Sequence, residues 1–238
     1  SIPEAEPGPP ADPLGSLLML TSGTTGKPKG AWLREDQLAE NAQAVARAWG
    51  WTKDDRLVVA LPLFHMHGLG VAVLGSLAAA SRLAALEKFD EDAVLDALER
   101  HDATMFFGVP AMYRRLVNRL RETGRPPPPL RLPVSGSAPM PPPLARDLEE
   151  MFGQIPLERY GMSEAGMITG NPLEGPRVPG TVGFPFEGTE VRIAGQGDGR
   201  APLAPGETGE VQICGRSVLR QYWRRERASD PSFDGEWF

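Results

Sequence analysis

The chain has 238 residues, 41% of them apolar and 24% charged, with a formal net charge of −6. That length buries a real core and can hold one or two domains. The acidic balance, with no basic tail or stripe, excludes a general nucleic-acid binder, and the single cysteine, Cys214, excludes an internal disulfide and suits a reducing, cytoplasmic compartment.

Residues 1–14 are rich in Pro, Glu and Gly and read as a linker-like start, without the basic and apolar stretches of a signal peptide. The apolar run Leu17-Leu18-Met19-Leu20 leads into Thr21-Ser22-Gly23-Thr24-Thr25-Gly26-Lys27-Pro28-Lys29-Gly30. Asp36 to Trp49 is predicted to be an amphipathic helix, with Leu38, Ala42, Val45, Ala46 and Trp49 on one face. A strand follows at Arg56–Leu61. Gly68 to Ala80 is apolar nearly all round, which predicts a buried helix too short and glycine-broken to span a bilayer.

A second strand is expected at Arg82–Glu87, then a helix capped by Asp90 and running to about His101, with Val94, Leu95 and Leu98 inward. Met105–Val109 reads as a strand, and Pro110 suits the first turn of the next helix. The proline run Pro126–Pro129 is a stiff connector to a strand at Leu130–Ser135, a helix at Pro143–Phe152 and a strand at Ile155–Glu158. This alternation predicts an α/β fold, a mostly parallel sheet flanked by helices, over residues 15–170. From residue 171 to 238 Gly and Pro multiply and helical periodicity fades. A small β-rich subdomain is expected there, with strands at Glu190–Ile193 and Glu210–Ile213.

Four segments carry the chemistry. In Thr21–Gly30, glycines let the backbone fold tightly round a ligand, while hydroxyls, bare N–H groups and an ammonium converge on one volume, which suits a polyphosphate. It is not a Walker A loop. Only two residues separate Gly23 from Gly26, and Pro28 follows Lys27, so a loop between two strands is expected rather than a helix opening on the phosphate. Phe64-His65-Met66-His67-Gly68 lies between a strand and the buried helix. Its two histidines suggest either a pocket lining or packed loop residues, and no third ligand follows at metal-binding spacing. Ser135-Gly136-Ser137-Ala138-Pro139 is by itself a small-residue turn. Tyr160-Gly161-Met162-Ser163-Glu164 follows a strand, where open α/β sheets bind ligands.

In order along the chain, these segments resemble the adenylate-forming superfamily of acyl-CoA synthetases, luciferases and peptide-synthetase adenylation domains. The resemblance covers nearly everything from Leu17 onward, including Gly209–Gly215 with Tyr222-Trp223, whose role it makes architectural. It implies ATP, Mg²⁺ and coenzyme A, and a carboxylic acid activated as an acyl-adenylate. It gives Thr21, Ser22, Gly23, Thr24, Thr25, Gly26 and Lys27 to the phosphates, and His65 to the border of the acid pocket. Gly136, Ser137 and Ala138 would flank the adenine, with Tyr160 stacked on it beside Gly161. Ser163 would donate to the α-phosphate, and Glu164 would hold the metal. Ser163 stands where the family has threonine, which keeps the hydroxyl.

Val109 to Arg115, Leu157 to Met162 and Asn171 to Gly180 look like malonyl-CoA synthetases. This implies that Arg115 and Arg159 hold the far carboxylate of a small dicarboxylic acid, malonate or methylmalonate, although Arg114 is an alternative to Arg115. Another acid- or amino-acid-adenylating enzyme, or a nucleotide-binding module without turnover, is the competing reading. The family's ribose-binding aspartate and mobile C-terminal domain are expected beyond Phe238, so the 238 residues alone are expected to bind ATP weakly and not to complete the reaction.

Overall fold

A computed structural model describes residues 15–21, 28–195, 201–225, 230 and 232–238. Strands β1 (Gly15–Thr21) and β2 (Lys29–Arg34) form an antiparallel hairpin in which Thr21 faces Lys29. Two strands therefore flank the glycine-rich loop, as expected, while Ser22–Lys27 lie outside the described residues. Helix α1 (Glu35–Ala48) opens with Glu35 and Asp36 and ends near Arg47, the order a helix dipole favours.

The sheet has seven strands in the order β4-β3-β5-β6-β7-β8-β9. β3 (Arg56–Val59), β4 (Arg82–Ala85), β5 (Met105–Gly108), β6 (Leu132–Ser135) and β7 (Leu157–Met162) run parallel. β8 (Gly166–Gly170) and β9 (Phe184–Pro185) extend the sheet antiparallel. Alternation along β5 feeds two cores. Met105 and Phe107 join Trp49, Trp51 and Leu57 on one face, and Phe106 joins Tyr113, Leu116 and Leu144 on the other. Tyr113 can be buried there because its hydroxyl proton is shared between the Phe106 and Val134 carbonyls, both 3.0 Å away.

The connections carry a π-helix (His67–Val73) running into α2 (Leu74–Ala78), then α3 (Glu91–Arg100), α4 (Pro110–Thr123) and α5 (Pro142–Phe152). Asp90 caps α3 by accepting from the Ala93 N–H at 3.0 Å, and Pro110 occupies the first turn of α4. β10 (Thr189–Ala194) and β11 (Glu210–Gly215) form the antiparallel hairpin expected near the C-terminus. Two differences from the sequence reading matter. The buried helix starts wide, as a π-helix, before it tightens to α. Strand β7 begins at Leu157 and runs on through Met162, because β8 pairs with it from Arg159 to Met162. The Tyr160–Glu164 segment therefore forms a strand end and its turn, not a loop after a strand.

Candidate active site

The strand order reverses at β3. Its helical connection leads to β4 on one side, while β5 lies on the other. Loops leaving β3 and β5 diverge to opposite faces, which opens a crevice at the carboxyl ends of the strands. A cavity of about 390 Å³ occupies that crevice, with His65, His67, Met112, Ser137, Arg159 and Ser163 in its wall. A second cavity, about 250 Å³ and lined by Ser137, Ala138, Tyr160 and Gly161 among others, adjoins it and shares Ser137, Arg159 and Gly161 with it. Both are of the scale of small-molecule sites.

Arg159 stands between the two. It is 4% exposed, and its Nε and Nη2 have no hydrogen-bond partner among the described residues. Its neighbour Glu158 does not pair with it. The strand pleat turns the two side chains to opposite faces, and the Glu158 carboxylate accepts instead from the Met140 N–H at 2.9 Å and the Gly180 N–H at 2.7 Å. Burial lowers the Arg159 pKa to about 10, so it is still a cation at neutral pH. Gly136 is what admits it, since a Cβ there would overlap the guanidinium. Ser137 beside it takes a positive φ of 66°, a conformation non-glycine residues hold mainly where surrounding structure imposes it.

The two histidines part company. His65 is exposed and packs on Phe64, with ring centroids 4.6 Å apart. His67 is buried at 6% exposure, stacks on Phe107 at 6.3 Å, and leaves both ring nitrogens without a partner among the described residues. Burial, then the nearby Arg159 charge, hold its pKa well below 6.5, so it is neutral in the fold. Unfolded, it regains the ordinary value and takes up a proton below about pH 6.5. Stability contributed by neutral His67 is therefore full above that pH and lost as pH falls. One such proton costs at most about 1.4 kcal/mol per pH unit. The melting temperature should consequently drop by up to about 3–5 °C more per pH unit, below pH 6.5, in the wild type than in His67→Gln. Parallel melting curves for the two proteins would refute the neutral, buried histidine.

The β7–β8 turn carries Ser163 and Glu164, and α1 fixes it. Asn41 donates to the Met167 carbonyl at 2.7 Å and accepts from the Met167 N–H at 2.9 Å. Gly166 allows this contact, with φ +71° and the Asn41 amide where a Cβ would lie. Glu164 Oε1 accepts from the Tyr222 hydroxyl at 3.0 Å. The Lys29 ammonium lies 4.7 Å from the Tyr222 ring and 4.0 Å from Asp230. Trp223 N–H also donates to the Gly30 carbonyl at 2.8 Å. The described end of the glycine-rich hairpin is thus joined through Tyr222 to Glu164. Thr21 lies at the same hairpin base, its hydroxyl 3.5 Å from the Lys29 carbonyl. Ser22, Gly23, Thr24, Thr25, Gly26 and Lys27 lie outside the described residues.

The fold therefore gathers His65, Gly136, Ser137, Ala138, Arg159, Tyr160, Gly161, Ser163 and Glu164 at one end of the sheet. It does not bring Arg115 there. Arg115 lies on the outer side of α4, where Glu91 of α3 accepts from its Nε at 2.5 Å and its Nη2 at 2.7 Å, and its guanidinium sits 4.8 Å from the Phe89 ring centroid. A bidentate ion pair on a neighbouring helix captures a flexible arginine that the sequence alone left free to point inward. Met112, on the inward side of α4, lines the cavity instead. His67, Met112 and Tyr222 are site residues that the sequence reading did not assign. For His67 the available signal was its position two residues from His65, directly before the glycine that starts the apolar helix.

A mostly parallel α/β sheet with a buried arginine and two adjoining cavities at its switch point has the architecture of an open α/β ligand-binding fold. Residues 3–223 match the family described as AMP-binding enzyme, and the chain belongs to that family. The mitochondrial malonate–CoA ligase ACSF3 of Xenopus laevis is 33% identical over 257 residues, covering 94% of this chain and 44% of its own length. A feruloyl-CoA synthase of an Amycolatopsis species is 36% identical over 241 residues, covering 98% of this chain and 48% of its own length. The crystal structure of ATP-bound MatB from Rhodopseudomonas palustris superposes with a TM-score of 0.83 at 40% identity, over 93% of this chain and 44% of that one. The chain thus spans a little under half the length of these relatives.

Proposed function

We propose that this protein takes part in the ATP-dependent activation of a small dicarboxylic acid, malonate or methylmalonate, and its transfer to coenzyme A. The observation that carries this reading is Arg159, a buried cation in the wall of a small cavity, two of whose nitrogens have no partner among the described residues. Such a charge costs several kcal/mol unless an anion completes it. A second carboxylate on the acid supplies that anion with matching bidentate geometry. A monocarboxylic fatty or aryl acid would leave the guanidinium unpaired. Relatives named as malonate–CoA ligases add support.

In this reading the near carboxylate lies by His65 and attacks the α-phosphorus of ATP. One P–O bond forms, the bond to pyrophosphate breaks, and the acyl-adenylate results. The carboxylate is already nucleophilic, so alignment and charge neutralisation do most of the catalysis. Tyr160 stacks on the adenine against Gly136, Ser137, Ala138 and Gly161, and Ser163 donates to the α-phosphate. The Thr21–Lys27 loop holds the departing pyrophosphate, with Lys27 supplying charge. Glu164 fits a magnesium ligand: it is a single hard, half-buried carboxylate, and the described residues hold no group of three or more metal-binding side chains. Magnesium is commonly held by one or two carboxylates together with phosphates and waters, and when bound it supplies further charge neutralisation. The thiol sulfur of coenzyme A then attacks the acyl carbonyl and AMP leaves. Arg115 keeps its pair with Glu91 and takes no part. A cytoplasmic location belongs to the same proposal and rests on the single cysteine.

Acid-dependent exchange of pyrophosphate into ATP by the intact protein tests the reading. Malonate or methylmalonate should exceed acetate, octanoate, ferulate and a panel of amino acids in kcat/KM by at least about 100-fold, the scale of a lost charged hydrogen-bond pair. Ferulate or octanoate as the better substrate would refute the dicarboxylate assignment. Nucleotide binding without exchange for any acid would favour a binding module.

A further inference from the structure

Arg159 is not the only orphan in the acid cavity. The two ring nitrogens of His67 are also buried without partners among the described residues, in the same wall. Local structure fixes this ring. Gly68 makes a tight turn possible, because a Cβ there would overlap the Pro62 carbonyl. The chain then enters the π-helix at His67, the wide-turned helix form often found at functional sites. Phe107 of β5 backs the imidazole, with ring planes 23° apart. Much of the remaining wall nearby is apolar, including Leu61, Met66, Val109 and Met112. Two polar side chains, each more than nine-tenths buried and each short of partners, therefore border one small volume.

We propose that His67 is a substrate-binding residue, the second donor to the far carboxylate held by Arg159, and that it helps the cavity prefer a carboxylate over an apolar group at that position. The assignment rests on the dicarboxylate reading above. Its chemistry follows from charge balance. Arg159 neutralises the far carboxylate, so a second cation would leave the bound pair with excess charge. A neutral imidazole adds one N–H donor and no charge. His67 is held neutral by its burial and by Arg159. With two donors from different elements, one on β7 and one at the start of the π-helix, the far carboxylate is fixed in orientation as well as in place. The near carboxylate is thereby aimed at the phosphate side of the site.

The test compares malonate with propionate, which has a methyl group in place of one carboxylate, in pyrophosphate exchange by the intact protein. His67→Leu keeps an apolar side chain of similar bulk against Phe107, and His67→Gln keeps an N–H donor. The leucine variant should raise the KM for malonate about tenfold or more and shrink the malonate-over-propionate ratio by the same factor, with the KM for ATP unchanged. The glutamine variant should recover at least part of that ratio. Equal losses for both acids, or an unchanged ratio in both variants, would overturn the assignment and leave His67 a packing residue. A wild type that fails to prefer malonate over propionate would sink the dicarboxylate reading itself, and this inference with it. A wild type that prefers malonate while the variants keep its ratio would sink only the role of His67.

Discussion

Arg159→Met is expected to cut malonate activation by at least a hundredfold and, in the same protein, to raise the melting temperature. The two effects share one cause. Nε and Nη2 of Arg159 are buried without a partner among the described residues, and burial has lowered its pKa to about 10, as expected of a cation deprived of water. Hydrogen bonds to charged groups are worth about 1.5–3 kcal/mol each. Two of them to a carboxylate amount to roughly two to four powers of ten in kcat/KM. In the absence of substrate the same guanidinium is a liability. Methionine has a similar unbranched reach and no charge to desolvate, and replacing poorly compensated buried charge with apolar side chains often stabilises by about 1–4 kcal/mol. At about 2–4 °C per kcal/mol for a chain of this size, calorimetry should show a gain of several degrees. A variant that melts lower and keeps its malonate kinetics would mean that the guanidinium holds the fold together and does not await a ligand.

Glu164→Gln should lower pyrophosphate exchange by about two to three powers of ten, the range of a lost metal clamp worth several kcal/mol. Glutamine preserves the length of the side chain and an acceptor for the Tyr222 hydroxyl, so the turn held by Asn41 should survive. What disappears is the negative charge that a hard cation needs. Tyr222→Phe removes the hydroxyl that orients the carboxylate and should cost less, roughly three- to tenfold. The direct readout is nucleotide affinity measured with and without magnesium. In the wild type magnesium should tighten ATP binding, in Glu164→Gln that gain should vanish, and in Tyr222→Phe it should shrink. If the glutamine variant gains as much from magnesium as the wild type does, Glu164 is not the ligand.

Much of the site could be read from local order. The Thr21–Gly30 string, the small turn at Ser135–Pro139 and the Tyr160–Glu164 segment are each contiguous, so their chemistry is visible without a fold. The helices at Glu35–Ala48 and Glu91–Arg100 were legible for the same reason, since an apolar face recurs every three or four residues and an acid opens each. Strands β8 and β9 were not legible. Gly166-Met167-Ile168-Thr169-Gly170 begins and ends on glycine, and Phe184-Pro185 is two residues long, so neither shows a β pattern until its partner is beside it.

By itself, then, the sequence determined that a mostly parallel α/β sheet would form and which contiguous segments would carry the polar chemistry, because period, turn chemistry and motif spacing are properties of near neighbours. The tertiary structure decided which charges have partners. Glu158 finds two backbone amides 18 and 22 residues away, Arg115 finds Glu91 at a separation of 24, and Nε and Nη2 of Arg159 find no partner among the described residues. It also decided that His67, and not His65, is the buried histidine of the cavity. The physical reason is that burial and pairing depend on which strands lie side by side, and the reversal of strand order at β3 cannot be read from any short stretch of the chain.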